Sequence, residues 1–300
     1  MSRAPAGGRS RAVPVLLVLL LLAGGAAWAW SHASVGGLLL GDHCEATAAG
    51  ATADLDPEQA GNAAIITAVA VRRGLPARAA SIAIATAMQE SKLRNVEYGD
   101  RDSLGLFQQR PSQGWGTRAE ILDPVHATNS FYDALIAVKG YQIMPIGEVA
   151  QKVQRSAHPS AYADHEPSAR VIASVLSGYS PGAFTCALHA EPSAGRTAPG
   201  QDGLDPRART VARAAAAETG RDGAAAASTD GTALRFSLTG SDARRDGWSL
   251  AHWAVARSDA LGIVSVATDG REWRRQGSTG WNPMPGAPVP GTVVVRVAPG

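Results

Sequence analysis

Leu75-Pro76-Ala77-Arg78-Ala79-Ala80-Ser81-Ile82-Ala83-Ile84-Ala85-Thr86-Ala87-Met88-Gln89-Glu90-Ser91 is the stretch on which the reading of this chain turns. Ile82, Ile84 and Met88 are apolar and Ala79, Ala83 and Ala87 small, which predicts a helix that begins after Leu75-Pro76 and runs from Arg78 to about Glu90. A carboxylate at the carboxyl end of such a helix meets the negative pole of the backbone dipole, and burial beside Met88 and Leu93 would add desolvation. Both effects act against the anion, and a glycosidic general acid needs a carboxyl that can arrive protonated. A locally disfavoured residue in an otherwise consistent helix is the kind of violation found at functional sites. Glu90 taken alone, however, fits a solvated helix-end carboxylate better.

Working outward, Asp56-Pro57 predicts the start of a preceding helix, with Asp56 as N-cap, Pro57 at the first helical position, Ile65, Ile66 and Val69 as its apolar side chains, and Gly74 as its stop. Beyond Ser91 the pattern breaks into a polar loop with a short irregular or hairpin region around Tyr98 to Gln109. Asp123-Pro124 opens a third helix carrying Ala127, Phe131, Leu135 and Ile136; Ile146 to Arg155 reads as a fourth and Arg170 to Leu176 as a last one. Residues 54–186 thus form a mainly helical domain, with 31–53 as a tether before it. Residues 187–231 are rich in Ala, Gly, Pro, Ser and Asp and read as a flexible linker with one candidate helix, Arg207 to Thr219. Residues 232–300 predict a small α+β module: a strand at Leu234 to Leu238, a helix from Trp248 to Leu261 ended by Gly262, a strand at Ile263 to Ala267, the turn Asp269-Gly270, and a strand at Thr292 to Val297.

At the amino end, Arg3, Arg9 and Arg11 precede an uncharged apolar run from Ala12 to Trp30. At about 1.5 Å per residue such a run just crosses a hydrocarbon core of about 30 Å. No lysine or arginine follows before Arg72, so the positive-inside rule predicts residues 1–11 in the cytoplasm, 12–30 as a single transmembrane anchor and the rest outside, with Trp28 and Trp30 at the outer interface. Ser31-His32-Ala33 offers small residues to a signal peptidase, so secretion after cleavage is the alternative. Cys44 and Cys186 are the only cysteines and bracket the helical domain. In an oxidising compartment an isolated pair is most simply a disulfide; two unrelated free thiols is the other reading. A chain of 300 residues, 45% apolar, can build two small domains, and its net charge of +2 is spread along the chain, so the footprint of a nucleic-acid binder is missing.

Glu90-Ser91 is followed, after the polar loop, by Ser103-Leu104-Gly105-Leu106-Phe107-Gln108 and then Pro111-Ser112. This combination resembles the soluble lytic transglycosylases and goose-type lysozymes, whose catalytic glutamate opens a Glu-Ser pair at a helix end and is followed, at the spacing Gly105 has here, by a Gly-Leu-Met-Gln type motif. Asp123-Pro124, Asn129 and Tyr132 resemble that family's next helix, behind the cleft, and the match spans roughly Ile65 to Tyr162. The resemblance implies a lysozyme-like fold, with Glu90 as acid and base, Ser91 holding the reacting sugar or the glutamate, and Gln108 bonding substrate at the cleft floor. It also implies that Gly105 permits close backbone approach and that Tyr132 belongs to the site. The family's Tyr-Asn-Ala-Gly segment is absent, the corresponding residues being Val153-Gln154-Arg155-Ser156-Ala157, and Tyr162 is the candidate to supply the missing ring.

A hydrolase of glycosides uses two carboxylates. Asp100 and Asp102 are the nearest candidates for a second, although Tyr98-Gly99-Asp100-Arg101-Asp102 also reads as an ordinary turn. A lytic transglycosylase, as the resemblance implies, needs one glutamate only, because the sugar's own hydroxyl attacks the anomeric carbon. His126, His158, His165 and His189 lack ligand spacing, so no metal or other cofactor is expected. Trp115 reads equally as a sugar platform or a packed loop anchor. Trp248, Trp253, Trp273 and Trp281 are numerous enough to suggest glycan binding, but Trp253 shares an apolar helical stripe with Leu250, Val255 and Leu261 and reads as core. Three functions stay open at this point: an exported, membrane-tethered enzyme cutting the bond between N-acetylmuramic acid and N-acetylglucosamine; an inactive module that binds peptidoglycan strands for a cell-envelope protein complex; and a structural protein whose last module does the work.

Overall fold

The computed structural model describes residues 41–154, 159–189, 192, 195, 198–226, 228, 230–276 and 280–300. The first helix, α1 (Pro57–Arg72), starts where the sequence predicts. The Gln59 N–H donates to Asp56 Oδ1 at 3.0 Å and the Asp56 N–H donates to Gln59 Oε1 at 3.0 Å, a reciprocal cap ahead of a proline-led first turn. The second, α2 (Ala77–Ser91), is buried at every position from Ala79 to Ala87. It has no solvent face over that span, as expected of a central helix, and it packs against α1, α4 (Pro124–Ile136), α5 (Ile146–Gln154), α6 (Pro159–Ala163) and α7 (Glu166–Leu176). A short helix, α3 (Arg118–Leu122), leads into α4, whose cap Asp123 accepts the Val125 N–H at 2.9 Å.

The stretch 43–53, expected as tether, is structured. It forms β1 (His43–Ala48) and most of β2 (Ala51–Leu55), joined by Ala49 and Gly50 with φ of 51° and 77°. Two residues at positive φ make the tight hairpin turn that suits strand twist. Small Ala and Thr side chains give little strand propensity, which is why the pairing leaves a weak trace in the sequence. With β3 (Phe184–Ala187) these strands make an antiparallel sheet ordered β2-β1-β3, in which Cys44 stands directly opposite Cys186. The two are disulfide-bonded, so free thiols are excluded.

The expected linker also carries structure. Asp205 caps α8 (Pro206–Thr219), which buries Ala208, Val211 and Ala215 against α1 and the second sheet. That sheet is antiparallel throughout and ordered β4-β5-β9-β6-β7-β8, comprising β4 (Ala224–Ala225), β5 (Ala233–Ser237), β6 (Ile263–Thr268), β7 (Arg271–Arg274), β8 (Asn282–Pro283) and β9 (Thr292–Val297). Asp269-Gly270 forms the expected turn between β6 and β7. The long helix of this region starts earlier than its apolar stripe suggests and breaks at Arg257 into α9 (Ala243–Ala256) and α10 (Ser258–Leu261).

Helix α9 packs on α1, α7 and β3 as well as on β6 and β9, so Asp42–Gly300 is one compact unit. The seam is fastened by side chains bonded to backbone: Trp281 Nε1 donates to Phe184 O at 2.8 Å, Ser249 Oγ to Leu176 O at 2.8 Å and Trp273 Nε1 to Cys186 O at 3.3 Å. Trp253 is buried and donates to Glu218 at 2.7 Å, which places it in the core. The fold is mixed α+β. No helix among the described residues is long and apolar enough to cross a membrane, and the apolar run 12–30 lies outside them.

Candidate active site

Glu90 occupies the last turn of α2, half-buried, with its Oε1 accepting the Tyr162 hydroxyl at 2.6 Å. Directly after it the chain turns sharply. Lys92 and Leu93 both have positive φ, 56° and 59°, and their N–H groups donate back to Met88 O and Ala87 O at 3.0 Å. Each such residue without a glycine costs about 1–3 kcal/mol and persists only where its surroundings hold it. Here α1 does so: Gln59 Nε2 donates to Lys92 O at 3.0 Å and Asn62 Nδ2 to Leu93 O at 2.7 Å. Arg94 then pairs with Asp56 and Glu58 at the start of α1. One residue, Gln59, therefore both caps α1 and fixes the turn behind Glu90.

The Gly105 motif is stitched to the same place. Leu104 and Gln109 exchange backbone hydrogen bonds at 2.9 and 3.0 Å, closing a tight loop. Ser91 Oγ donates to Leu106 O at 2.8 Å and Gln154 Nε2 to Phe107 O at 2.7 Å, while the Phe107 ring stacks on Phe131 with centroids 4.6 Å apart. Ser91 thus holds the loop against the helix end. Gln108, at φ 48°, turns its amide onto Tyr98 O at 3.2 Å and Gly105 O at 3.3 Å. Gly105 has φ 74°, and a Cβ there would lie 2.7 Å from Ile121 O, so the close approach it permits is to the chain's own backbone.

Two residues singled out in the sequence are engaged within the protein. Tyr132 is fully buried, donates its hydroxyl to Ile66 O at 2.9 Å and has its phenol pushed up by burial, so it supports the core and presents no face to a sugar. Asp102 accepts from Arg110 Nε at 2.6 Å and from the Ser112 N–H at 2.8 Å. These bonds, first that from Ser112 and then that from Arg110, hold its carboxyl well below the usual range, and with both oxygens engaged it clamps the loop. Asp100 has a 91% exposed side chain in the adjoining turn, which matches the turn reading. Trp115 lines a polar groove with Gln113, Ser130, Asp133 and Lys152 that includes neither Glu90 nor Tyr162.

Tyr162, expected only as a substitute ring, donates its hydroxyl to Glu90. Nearby, a His165 ring nitrogen lies 3.2 Å from Gln89 Oε1. Gln154 went unrecognised because it sits in the segment that departs from the family pattern; Arg155 to His158 lie outside the described residues. Of the other histidines, His126 and His189 lie on exposed or half-buried surface, and among the described residues no group of three His, Cys, Asp or Glu side chains is arranged to hold a metal ion. The arrangement offers one half-buried carboxyl, one oxygen of which is fixed by a phenol, beside a loop held by Ser91 and Gln154. Such a group can donate and accept a proton at a fixed point. No family model matches the chain, and no curated protein matches it.

Proposed function

We propose that this chain is a peptidoglycan-cleaving enzyme of the lytic transglycosylase type, acting on the N-acetylmuramic acid to N-acetylglucosamine bond with Glu90 as its acid and base. The observation that carries the reading is the Tyr162 to Glu90 hydrogen bond of 2.6 Å at a helix end braced by Ser91, Gln59 and Asn62. Tyr162 fixes one oxygen, which leaves Oε2 for the glycosidic oxygen. The engagement of Asp102 favours a one-carboxylate mechanism: Glu90 protonates the leaving oxygen, then takes the proton of the sugar hydroxyl as it closes a 1,6-anhydro ring. The enzyme works outside the cytoplasmic membrane, held by residues 12–30 with its amino end inside; a phosphatase reporter after Gly300 should be active only outside the cytoplasm.

The Glu90→Gln variant keeps volume and hydrogen-bonding reach while removing the transferable proton. Turnover of purified peptidoglycan by the full chain in detergent should fall at least about a hundredfold, the low end of positioned acid-base catalysis, with melting temperature unchanged. Mass spectrometry should find anhydro ends; hydrated ends, lost also in Asp100→Asn, would point to a two-carboxylate lysozyme instead. A second reading, a peptidoglycan-binding module without turnover, draws on Gln154, whose amide is consumed by Phe107 O in the segment where the family carries sugar contacts. Folded protein that binds sacculi but releases no fragment would select it.

A further inference from the structure

The amino end of α2, opposite to Glu90, carries a second set of unmet polar groups. Its N-cap is Pro76, which has no side-chain oxygen to offer, and no side chain of the described residues caps the helix. The Ala79 N–H turns back to Pro76 O at 2.8 Å, while the first-turn N–H groups of Ala77 and Arg78 have no acceptor within the helix. Such an end attracts anions through those groups and through the positive pole of the backbone dipole.

It opens into a surface cavity lined by Leu75, Pro76, Ala77, Ser177, Tyr179 and Arg245. Ser177 is 4% exposed, and its Oγ has no hydrogen-bond partner among the described residues. A buried hydroxyl in that condition is costly unless something in the cavity accepts from it. Opposite, the Arg245 guanidinium lies 5.4 Å from the centroid of the Tyr179 ring, which is 57% exposed at the rim. Gly178 makes this juxtaposition possible, since at φ 82° a Cβ there would lie 2.1 Å from the Arg245 carbonyl. Arg245 also pairs with Asp242 at 3.3 Å and Asp246 at 3.2 Å, and Asp246 is shared with Arg221 at 2.9 Å. Both of those contacts use one terminal nitrogen, and a guanidinium has five N–H donors. The carbonyls at the end of α7, which would repel an anion, are occupied: Ser174 O by the Tyr179 N–H, Val175 O by His252 and Leu176 O by Ser249.

We infer that this cavity binds a phosphate group. The amino end of α2, Ser177 and Arg245 line one cavity, a set of several donors that suits the several oxygens of a tetrahedral oxyanion better than the two of a carboxylate. The open mouth admits an esterified phosphate as well as the free ion. Helix α2 has 15 residues, so the site lies roughly 20 Å from Glu90 along the axis and does not depend on the proposed activity.

The test uses the full chain in detergent, with backbone amides followed by NMR during titration with inorganic phosphate, with glycerophosphoglycerol, and with acetate and chloride at matched ionic strength. Saturable shifts of Ala77 and Arg78 with phosphate, weakened at least tenfold in Ser177→Ala and in Arg245→Gln, would support the site. Saturation by the phosphodiester as well would assign an esterified phosphate, as in a polymer or lipid headgroup; saturation by inorganic phosphate alone would assign the free ion. Ser177→Ala should fold as the parent does, since its hydroxyl has no partner among the described residues to lose. Absence of saturation, equal shifts with acetate or chloride, or undiminished binding in both variants would overturn the assignment.

Discussion

The carboxyl end of α2 and the seam where α9 and the second sheet meet α7 and β3 both gather polar side chains, and they use them in opposite ways. At the seam, indole and hydroxyl groups are spent on fixed carbonyls, Phe184 O, Cys186 O and Leu176 O, inside a shell of aromatic rings. Burial of polar groups is tolerated there because their hydrogen bonds are made within the protein. At the helix end, Gln59, Asn62 and Ser91 are also spent on carbonyls, but they surround Glu90, which has a single hydrogen-bond partner among the described residues and stays half-exposed. The contrast separates a joint whose polar groups are consumed from a helix end that leaves one carboxyl half-exposed. Variants at the first should change stability and leave turnover alone, and variants at the second the reverse.

The largest effect comes from the disulfide that ties β1 to β3, the strand on which the seam is built. The Cys44–Cys186 bond closes a loop of 142 residues, and in the chain-entropy model its loss costs about 5 kcal/mol. Urea unfolding of the Cys44→Ala, Cys186→Ala double variant should show a loss near that size, with turnover intact under conditions where the variant is folded. Turnover lost from a variant of normal stability would break the comparison.

Next comes His252, wholly buried in the seam. Its Nδ1 donates to Val175 O at 2.8 Å, Nε2 has no partner among the described residues, and Trp248, Trp281 and Phe184 surround the ring. Desolvation pushes its pKa down to about 4, only partly opposed by the Val175 bond. Between that value and about 6.5 the unfolded chain binds a proton that the folded one refuses, so stability falls as pH drops through this window, by about 3 kcal/mol in total. Unfolding free energies measured from pH 7 to pH 4 should show the decline, and His252→Phe should flatten it. An unchanged slope in that variant would assign the dependence to other groups.

The smallest effect tests the site. Tyr162→Phe removes the donor to Glu90 while keeping the ring, and turnover should fall about tenfold, or about 1.4 kcal/mol of barrier, with KM unchanged. The stability change should stay near the worth of one hydrogen bond, about 1 kcal/mol. A fall in stability with normal turnover would make Tyr162 part of the packing and not of the site.

Much of this was readable along the chain because its causes are local. Asp56-Pro57 and Gln59 cap α1 within one turn, the alanine and isoleucine spacing from Ala79 to Met88 marks α2, and Asp269-Gly270 forces a hairpin, all through interactions spanning a few residues. The Glu90-Ser91 pair and the Gly105 motif stand out for a different reason, their combined resemblance to a family pattern, since Glu90 alone reads as a solvated helix-end carboxylate. The structured strand pairs of 43–55, the burial of Tyr132, the capture of Asp102 by Arg110 and Ser112, and the packing of α8 and α9 onto α1 depend on which surfaces meet once the elements assemble. Tyr162 and Glu90 are 72 residues apart, and no cap, turn or periodic stripe joins them; only the packing of α6 onto the end of α2 brings phenol and carboxyl within a hydrogen bond.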